Sequence, residues 1–243
     1  MTKSRLQEQL FRIARTPGAI SMTEAWAIYS AIITNLSSRV EQGHVLDLGS
    51  HAGKSTMVMS AALACLGRAE LIHMVDPVYD LNNEQAWRQT IQGTAKNLPW
   101  GYCCEPSFKD DVIKRVYEVS SLVPVLHGLS SVDFLAKYDY TFSCVFIDSD
   151  DHQPELVMHE ARLLENRVKL GGLVFFHDYK NQYVGPYMAS EELLKTGKYE
   201  LVGVNWVTIT PFVNEYRLEE NNNSWHMPGV ANPNFVGILR RIA

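Results

Sequence analysis

The sequence predicts an α/β chain: a doubly wound, mostly parallel sheet of seven strands with helices on both faces, N-terminal helices and an antiparallel edge strand. Three observations predict it. Short apolar runs with strand character alternate with runs of helical period from residue 44 onward. Asp47, Asp76, Asp148 and the His177-Asp178 pair all fall at the carboxyl ends of strand-like runs, where open parallel sheets bind ligands. The last two β-rich runs follow one another with only a polar, Asn-rich loop between them, the pattern of an antiparallel pair.

Residues 1–43 read as a helical cap in which Thr23 caps "EAWAIYSAIITNL" and Trp26, Ile28, Ile32, Ile33 and Leu36 form the apolar stripe. "HVLDLG" is then a buried strand, and a helix of small and apolar residues runs from Lys54 to Leu66. "ELIHMVDP" is the second strand, ending at Asp76. An insertion over 78–122 carries two helical stretches, "EQAWRQTIQGTAKNL" and "FKDDVIKRVYEVSSL". "VPVLHG" is the third strand, with "SSVDFLAKY" as a short helix after it. "SCVFIDSD" is the fourth, followed by a helix over 154–168, and "GGLVFFHDY" is the fifth, followed by a helix near 186–195. "YELVGVNWVTITPF" and "NFVGILRRI" complete the sheet.

Length and composition suit one domain over 1–243, with 44–243 as its core. The chain is 46% hydrophobic and 20% charged, enough apolar content for an ordinary core. A net charge of −5 and a pI near 5.9 argue against a partner such as nucleic acid bound without regard to sequence. No apolar run approaches the roughly 20 residues that span a bilayer, so no membrane partner is expected. The N-terminal stretch lacks the apolar segment of a secretory signal, and the four cysteines form no CxxC pair. Two of them lie inside apolar element patterns and read as buried thiols of a reducing compartment, so a cytoplasmic location is expected.

The stretch "LDLGSHAGKST" ends in Gly-Lys-Ser, as phosphate-binding loops do. That loop needs a glycine five residues before Gly53; the position is Leu48, so the match fails and "CVFIDSDD" has no partner for a triphosphate site. What remains is Asp47-x-Gly49-x-x-x-Gly53 at a strand-to-helix turn, the acidic nucleotide loop of a Rossmann-like unit. Asp76, at the end of the next strand, reads either as an acceptor for adenosine ribose hydroxyls or as a turn cap before Pro77. The loop could serve NAD(P) in an oxidoreductase, or S-adenosylmethionine, or a non-catalytic protein that binds an adenosine cofactor. S-adenosylmethionine is favoured. Ser50 and His51 stand where a dinucleotide loop needs its middle glycine, and Asp47 suits a cationic amino group. Asp148 and Asp178, at neighbouring strand ends about 4.8 Å apart, could share one hard cation such as Mg²⁺ or Mn²⁺. His152, opening the next helix, is placed as general base, while Asp150 and Asp151 could equally cap that helix.

These residues resemble class I S-adenosylmethionine-dependent methyltransferases, and within them the metal-dependent small-molecule O-methyltransferases that include macrolide-sugar enzymes and relatives of the cephalosporin-biosynthesis protein. "HVLDLGSHAGKST" is similar to that family's acidic glycine loop, and "FIDSDDHQPELVMHEARLLENRVKLGGLVFFHDY" to its strand-loop-helix-strand pattern. The resemblance implies cofactor contacts from Asp47, Gly49, Ser50, Gly53, Ser55, Asp76 and Asp148, and a position at Leu129 or Ser130 beside the adenine. It places metal ligands on Asp148, His177 and Asp178 and the base on His152. "DSDDH" is one residue longer than the family's "DGDH", which leaves open which aspartate of 148–151 meets the metal. The implied reaction is methylation of a hydroxyl on a small-molecule acceptor, a sugar or polyketide among the candidates, by a chain that self-associates as a homo-oligomer through helices like those at 1–40. Tyr179, Tyr183, Tyr187 and Trp206 read equally as acceptor-pocket residues or as packing or surface aromatics, and the segment 211–234 matches nothing in the family.

Overall fold

Strict alternation of apolar side chains builds the centre of the molecule. In the computed structural model, which describes residues 3–16, 20–36, 40–80, 107–149, 152–179, 184–204 and 236–243, β1 (His44–Leu48) sends Val45 to one apolar cluster and Leu46 and Leu48 to the other. β5 (Val168–Phe176) does the same, with Leu173 and Phe175 on the first face and Val174 and Phe176 on the second. Both faces are covered, so a parallel sheet is the stable arrangement.

β1 pairs in parallel with β2 (Ile72–Val75) and β4 (Phe142–Ile147); β2 pairs in parallel with β3 (Val125–His127) and β4 with β5. β7 (Gly237–Arg241) runs antiparallel to β5 and to β6 (Tyr199–Val204), giving the order β3-β2-β1-β4-β5-β7-β6. This is the expected seven-stranded, mostly parallel sheet, its antiparallel strand lying one place in from the edge. Gly237 lets β7 pass that close, since a Cβ there would sit 2.5 Å from the Tyr179 ring.

Helices α1 (Lys3–Arg15), α2 (Met22–Asn35), α3 (Lys54–Cys65) and α4 (Phe108–Ser120) pack over the first face. α5 (Ser131–Lys137), α6 (Pro154–Leu164) and α7 (Val184–Lys195) cover the second. The cap of α2 is Ser21 rather than Thr23: Ser21 Oγ accepts the Glu24 N–H at 3.2 Å while Glu24 Oε2 accepts the Ser21 N–H at 2.8 Å. This reciprocal box satisfies two orphan donors, which a cap at Thr23 would not. Trp26 also departs from the expected stripe; it is 50% exposed and stacks on Tyr29, and the buried face runs through Ala25, Ile28, Ile32 and Leu36.

Helix α6 stops at Leu164, short of 168, because Arg167 accepts the Phe142 N–H at its carbonyl and Val168 already pairs in the sheet. Of the thiols expected to be buried, Cys144 is and Cys65 is exposed at the end of α3. The helical stretch 84–98, Cys103, Cys104, Asp150, Asp151, Tyr183, Trp206 and the segment 211–234 lie outside the described residues. No helix among the described residues is long and apolar enough to cross a membrane.

Candidate active site at the strand carboxyl ends

Ladder hydrogen bonds continue one residue past the strands and line up the chemistry in a row. The N–H of Asp76 donates to His127 O (3.1 Å), that of Gly49 to Val75 O (2.9 Å), that of Asp148 to Leu48 O (2.9 Å) and that of His177 to Ile147 O (3.0 Å). The glycine loop and the acidic cluster are therefore direct neighbours. Gly49, at φ 77°, lies so close to the next strand end that a Cβ there would be 2.0 Å from Asp148 O.

On the loop side, Asp47 points to the α3 face and is fully buried. Its Oδ2 accepts hydrogen bonds from Ser55 Oγ (2.6 Å) and Thr56 Oγ1, while Oδ1 is buried with no partner among the described residues. Burial pushes the Asp47 carboxyl up to about 7, against the hydroxyl hydrogen bonds that favour its ionised form. A buried acceptor without a donor is unfavourable, and an amino group supplied by a ligand would satisfy it. Gly53 ends the loop at φ 85°, a left-handed conformation suited to glycine, and directs the chain into α3. Ser50 is buried, with Oγ 3.1 Å from the Tyr79 hydroxyl.

Asp76 shows the turn-cap geometry: Oδ1 accepts the Val78 N–H and Oδ2 the His51 N–H, both at 2.9 Å. A carboxylate offers about four acceptor positions over its two oxygens, so capping does not by itself exclude ribose binding. Ser130 caps α5, accepting the Asp133 N–H at 3.1 Å, and Leu129 packs against the second apolar cluster. Tyr179 is a core residue, 1% exposed and edge-on to Tyr187, rather than a wall of an acceptor pocket.

On the acidic side the structure brings Asp148, His152, His177 and Asp178 together, each offering a donor atom within 4.8 Å of the others. Asp148 Oδ1 lies 2.9 Å from His177 Nδ1 and 3.5 Å from His152 Nε2; Asp178 Oδ2 lies 2.7 Å from His152 Nε2 and 3.4 Å from His177 Nδ1. Both carboxylates thus sit between the two rings. Behind them, His152 Nδ1 is 2.9 Å from Ser149 O and His177 Nε2 is 3.3 Å from Glu24 Oε1. Burial alone would lower both imidazoles, but for His177 the carboxylates of Asp148, Glu24 and Asp178 raise it well above its ordinary range. For His152 the Asp178 hydrogen bond and the Asp148 charge likewise win over burial. Asp178 moves the other way: its burial is outweighed by the two histidines, which hold it below the usual carboxylate range.

Four described residues other than glycine have φ in the left-handed region, and three are here: His51 (39°), His152 (49°) and Asp178 (53°). Each costs about 1–3 kcal/mol of backbone strain, the kind that surrounding structure holds at functional sites.

A family profile described as a methyltransferase domain matches residues 46–179, more than half of the 243-residue chain. The chain belongs to the class I methyltransferases. Its methyl donor is S-adenosylmethionine, and the matched stretch begins in β1 and ends just past the acidic cluster. Solved structures agree on the fold. The O-methyltransferase NovP is similar over 93% of this chain and 84% of its own, with 14% identity and a TM-score of 0.55. A precorrin-6y C5,15-methyltransferase from Geobacter metallireducens covers 94% and 95% of the two chains at 13% identity and TM-score 0.53. An rRNA methylase from Streptococcus thermophilus covers 93% and 100% at 10% identity and TM-score 0.50. A comparison with curated protein sequences gives no match. At such identities the shared feature is the fold, and substrates must be argued from the site.

Glu24 is the participant that sequence reasoning missed. Its Ser-x-x-Glu spacing with Ser21 is a readable capping box, but that explains only Oε2; nothing local places Oε1 against His177.

Proposed function

We propose that this methyltransferase transfers the methyl group to a hydroxyl of a small molecule, assisted by a divalent cation. The observation that carries the proposal is the four-donor cluster of Asp148, His152, His177 and Asp178, set against the glycine loop at Gly49. Two carboxylates and one imidazole fit a cation that accepts mixed oxygen and nitrogen ligands, with Mn²⁺ suited better than Mg²⁺, and the second imidazole stands beside them as a base. Asp148, His177 and Asp178 would hold it, and when bound it would polarise the acceptor hydroxyl and lower its pKa.

The chain's own residues do the rest. The unpartnered Asp47 Oδ1 accepts the amino group of the cofactor's methionine portion, Asp76 receives its ribose hydroxyls, and Gly49 and Gly53 keep the loop clear of side chains. The adjacency of Gly49 and Asp148 sets donor and acceptor side by side, and such orientation can supply about 7–11 kcal/mol in the best model systems. His152 takes the acceptor's proton at Nε2, because its Nδ1–H is held by the Ser149 carbonyl.

The test is methyl transfer from labelled S-adenosylmethionine to a panel of sugars, phenols and polyketide alcohols, with and without a chelator. Transfer that EDTA abolishes and Mn²⁺ restores supports the proposal. Transfer unaffected by exhaustive chelation, or confined to RNA, would overturn it.

A further inference from the structure

His177 differs from the other members of the cluster in what stands behind it. Asp148 and Asp178 face its Nδ1, while its Nε2 faces away from them, toward α2. There it meets Glu24, whose side chain is 0% exposed; His177 itself is 2% exposed. Glu24 Oε1 and His177 Nε2 form an ion pair at 3.3 Å, and neither atom makes a hydrogen bond, to the other or elsewhere, among the described residues. The sheet's alternation makes this meeting systematic: Leu173 and Phe175 of β5 point to the α2 face, and His177 continues that series just beyond the strand.

We propose that Glu24 is a positioning residue of the cation site, binding the Nε2–H of His177 so that the Nδ1 lone pair is presented to the cation. The inference rests on the metal-site reading above. A neutral imidazole carries its proton on one nitrogen only, and the partner of that nitrogen decides which one. A buried carboxylate can only accept, so Glu24 favours a proton on Nε2, while Asp148 Oδ1, 2.9 Å from Nδ1, claims a proton there until a cation takes that lone pair. Carboxylates behind metal-bound imidazoles act in this way, and losing one weakens metal affinity by about 10- to 100-fold. Glu24 has a second duty at its other oxygen, where Oε2 closes the Ser21 capping box. Cation binding is thereby linked to the seating of the N-terminal helix α2 on the sheet.

The Glu24→Gln variant separates these duties. Its amide oxygen can still accept the Ser21 N–H, keeping the cap, while its NH₂ turns toward Nε2 and donates. That reverses the hydrogen bond and places the ring proton on Nδ1, where the cation needs a lone pair. Mn²⁺ titration of the full chain by calorimetry and by paramagnetic resonance should show E24Q weaker than wild type by about 10- to 100-fold. S-adenosylhomocysteine affinity and the metal-free melting midpoint should stay near wild type. Nitrogen-15 spectra of His177 in the Zn²⁺-loaded protein should show the ring proton on Nε2, protected from exchange in wild type and exchanging faster in E24Q. Equal Mn²⁺ affinity in the two proteins, or equal exchange of the Nε2–H, overturns the inference while leaving the metal site standing. Failure of the wild-type protein to bind Mn²⁺ overturns the metal-site reading, and this inference with it.

Discussion

Replacing Gly49 with alanine tests the adjacency on which the whole site depends. At φ 77° the new residue pays a left-handed backbone penalty of about 1–2 kcal/mol. Its Cβ would also stand 2.0 Å from Asp148 O and 2.6 Å from Asp148 C. These are backbone atoms tied into the ladder through the Asp148 N–H, so they yield only by moving the strand end by about 1 Å, and overpacking of that kind costs a further 1–3 kcal/mol or so. Gly197 is the natural control, since it has φ 70° and nothing within 4 Å of a Cβ. Both variants gain equally from a stiffer unfolded chain, so that contribution cancels in their difference. In chemical unfolding, G197A should lose about 1–2 kcal/mol and G49A about 2–5 kcal/mol. For a chain of this size each kcal/mol lowers the melting midpoint by about 2–4 °C. G49A should also lose affinity for both S-adenosylhomocysteine and Mn²⁺, because the displaced atoms belong to both sites. A G49A protein as stable as G197A, with both affinities intact, would refute the reasoning.

Asp47, His152 and Ser21 each give a further test. The Asp47 carboxyl, raised by burial from 3.8 to about 7, holds a proton over part of the neutral range that a cationic ligand must expel. Cofactor affinity should therefore rise as pH climbs through about 7, and calorimetry should find this slope flattened in Asp47→Asn. The same shift makes Asp47's own contribution to folding complete below about pH 4 and lost as pH passes 7, a trend visible in wild-type melting midpoints and absent from D47N. His152→Ala should reduce turnover by about 10²–10⁴ with cofactor affinity near normal; an unchanged kcat removes the base assignment, and a matching collapse of Mn²⁺ affinity makes Nε2 a ligand instead. Ser21→Ala should destabilise by about 1 kcal/mol through its lost cap and weaken Mn²⁺ binding far less than E24Q does, since the Glu24 carboxylate facing His177 remains.

The sheet was legible because its signals are local. Alternating burial, the glycine turn after β1 and acidic residues at strand ends each follow from a few consecutive residues, and they located Asp47, Gly49, Asp148, His177 and Asp178 on one edge of the sheet. What escaped depends on how elements meet. Trp26 fits a helical stripe as well as its neighbours do, and only the crossing of α2 over the sheet leaves it outside. The end of α6 is set by Arg167 and Val168 committing to the sheet, a non-local event that helix periodicity does not register. Tyr179 read equally as a pocket or a packing aromatic from its strand-end position, and the close passage of Gly237 on β7 places its ring in the core. Glu24 escaped for the same reason: its cap is written in four residues, its partner His177 lies beyond β5.

The proposed cation beside the methyl donor is addressed directly by one measurement. A crystal of the protein with S-adenosylhomocysteine and Mn²⁺, with diffraction recorded at the manganese absorption edge, should show a single anomalous peak among Asp148, His177 and Asp178, with the homocysteine amino group against Asp47. Bound S-adenosylhomocysteine with no anomalous peak in that cluster, or with manganese elsewhere on the chain, would contradict it.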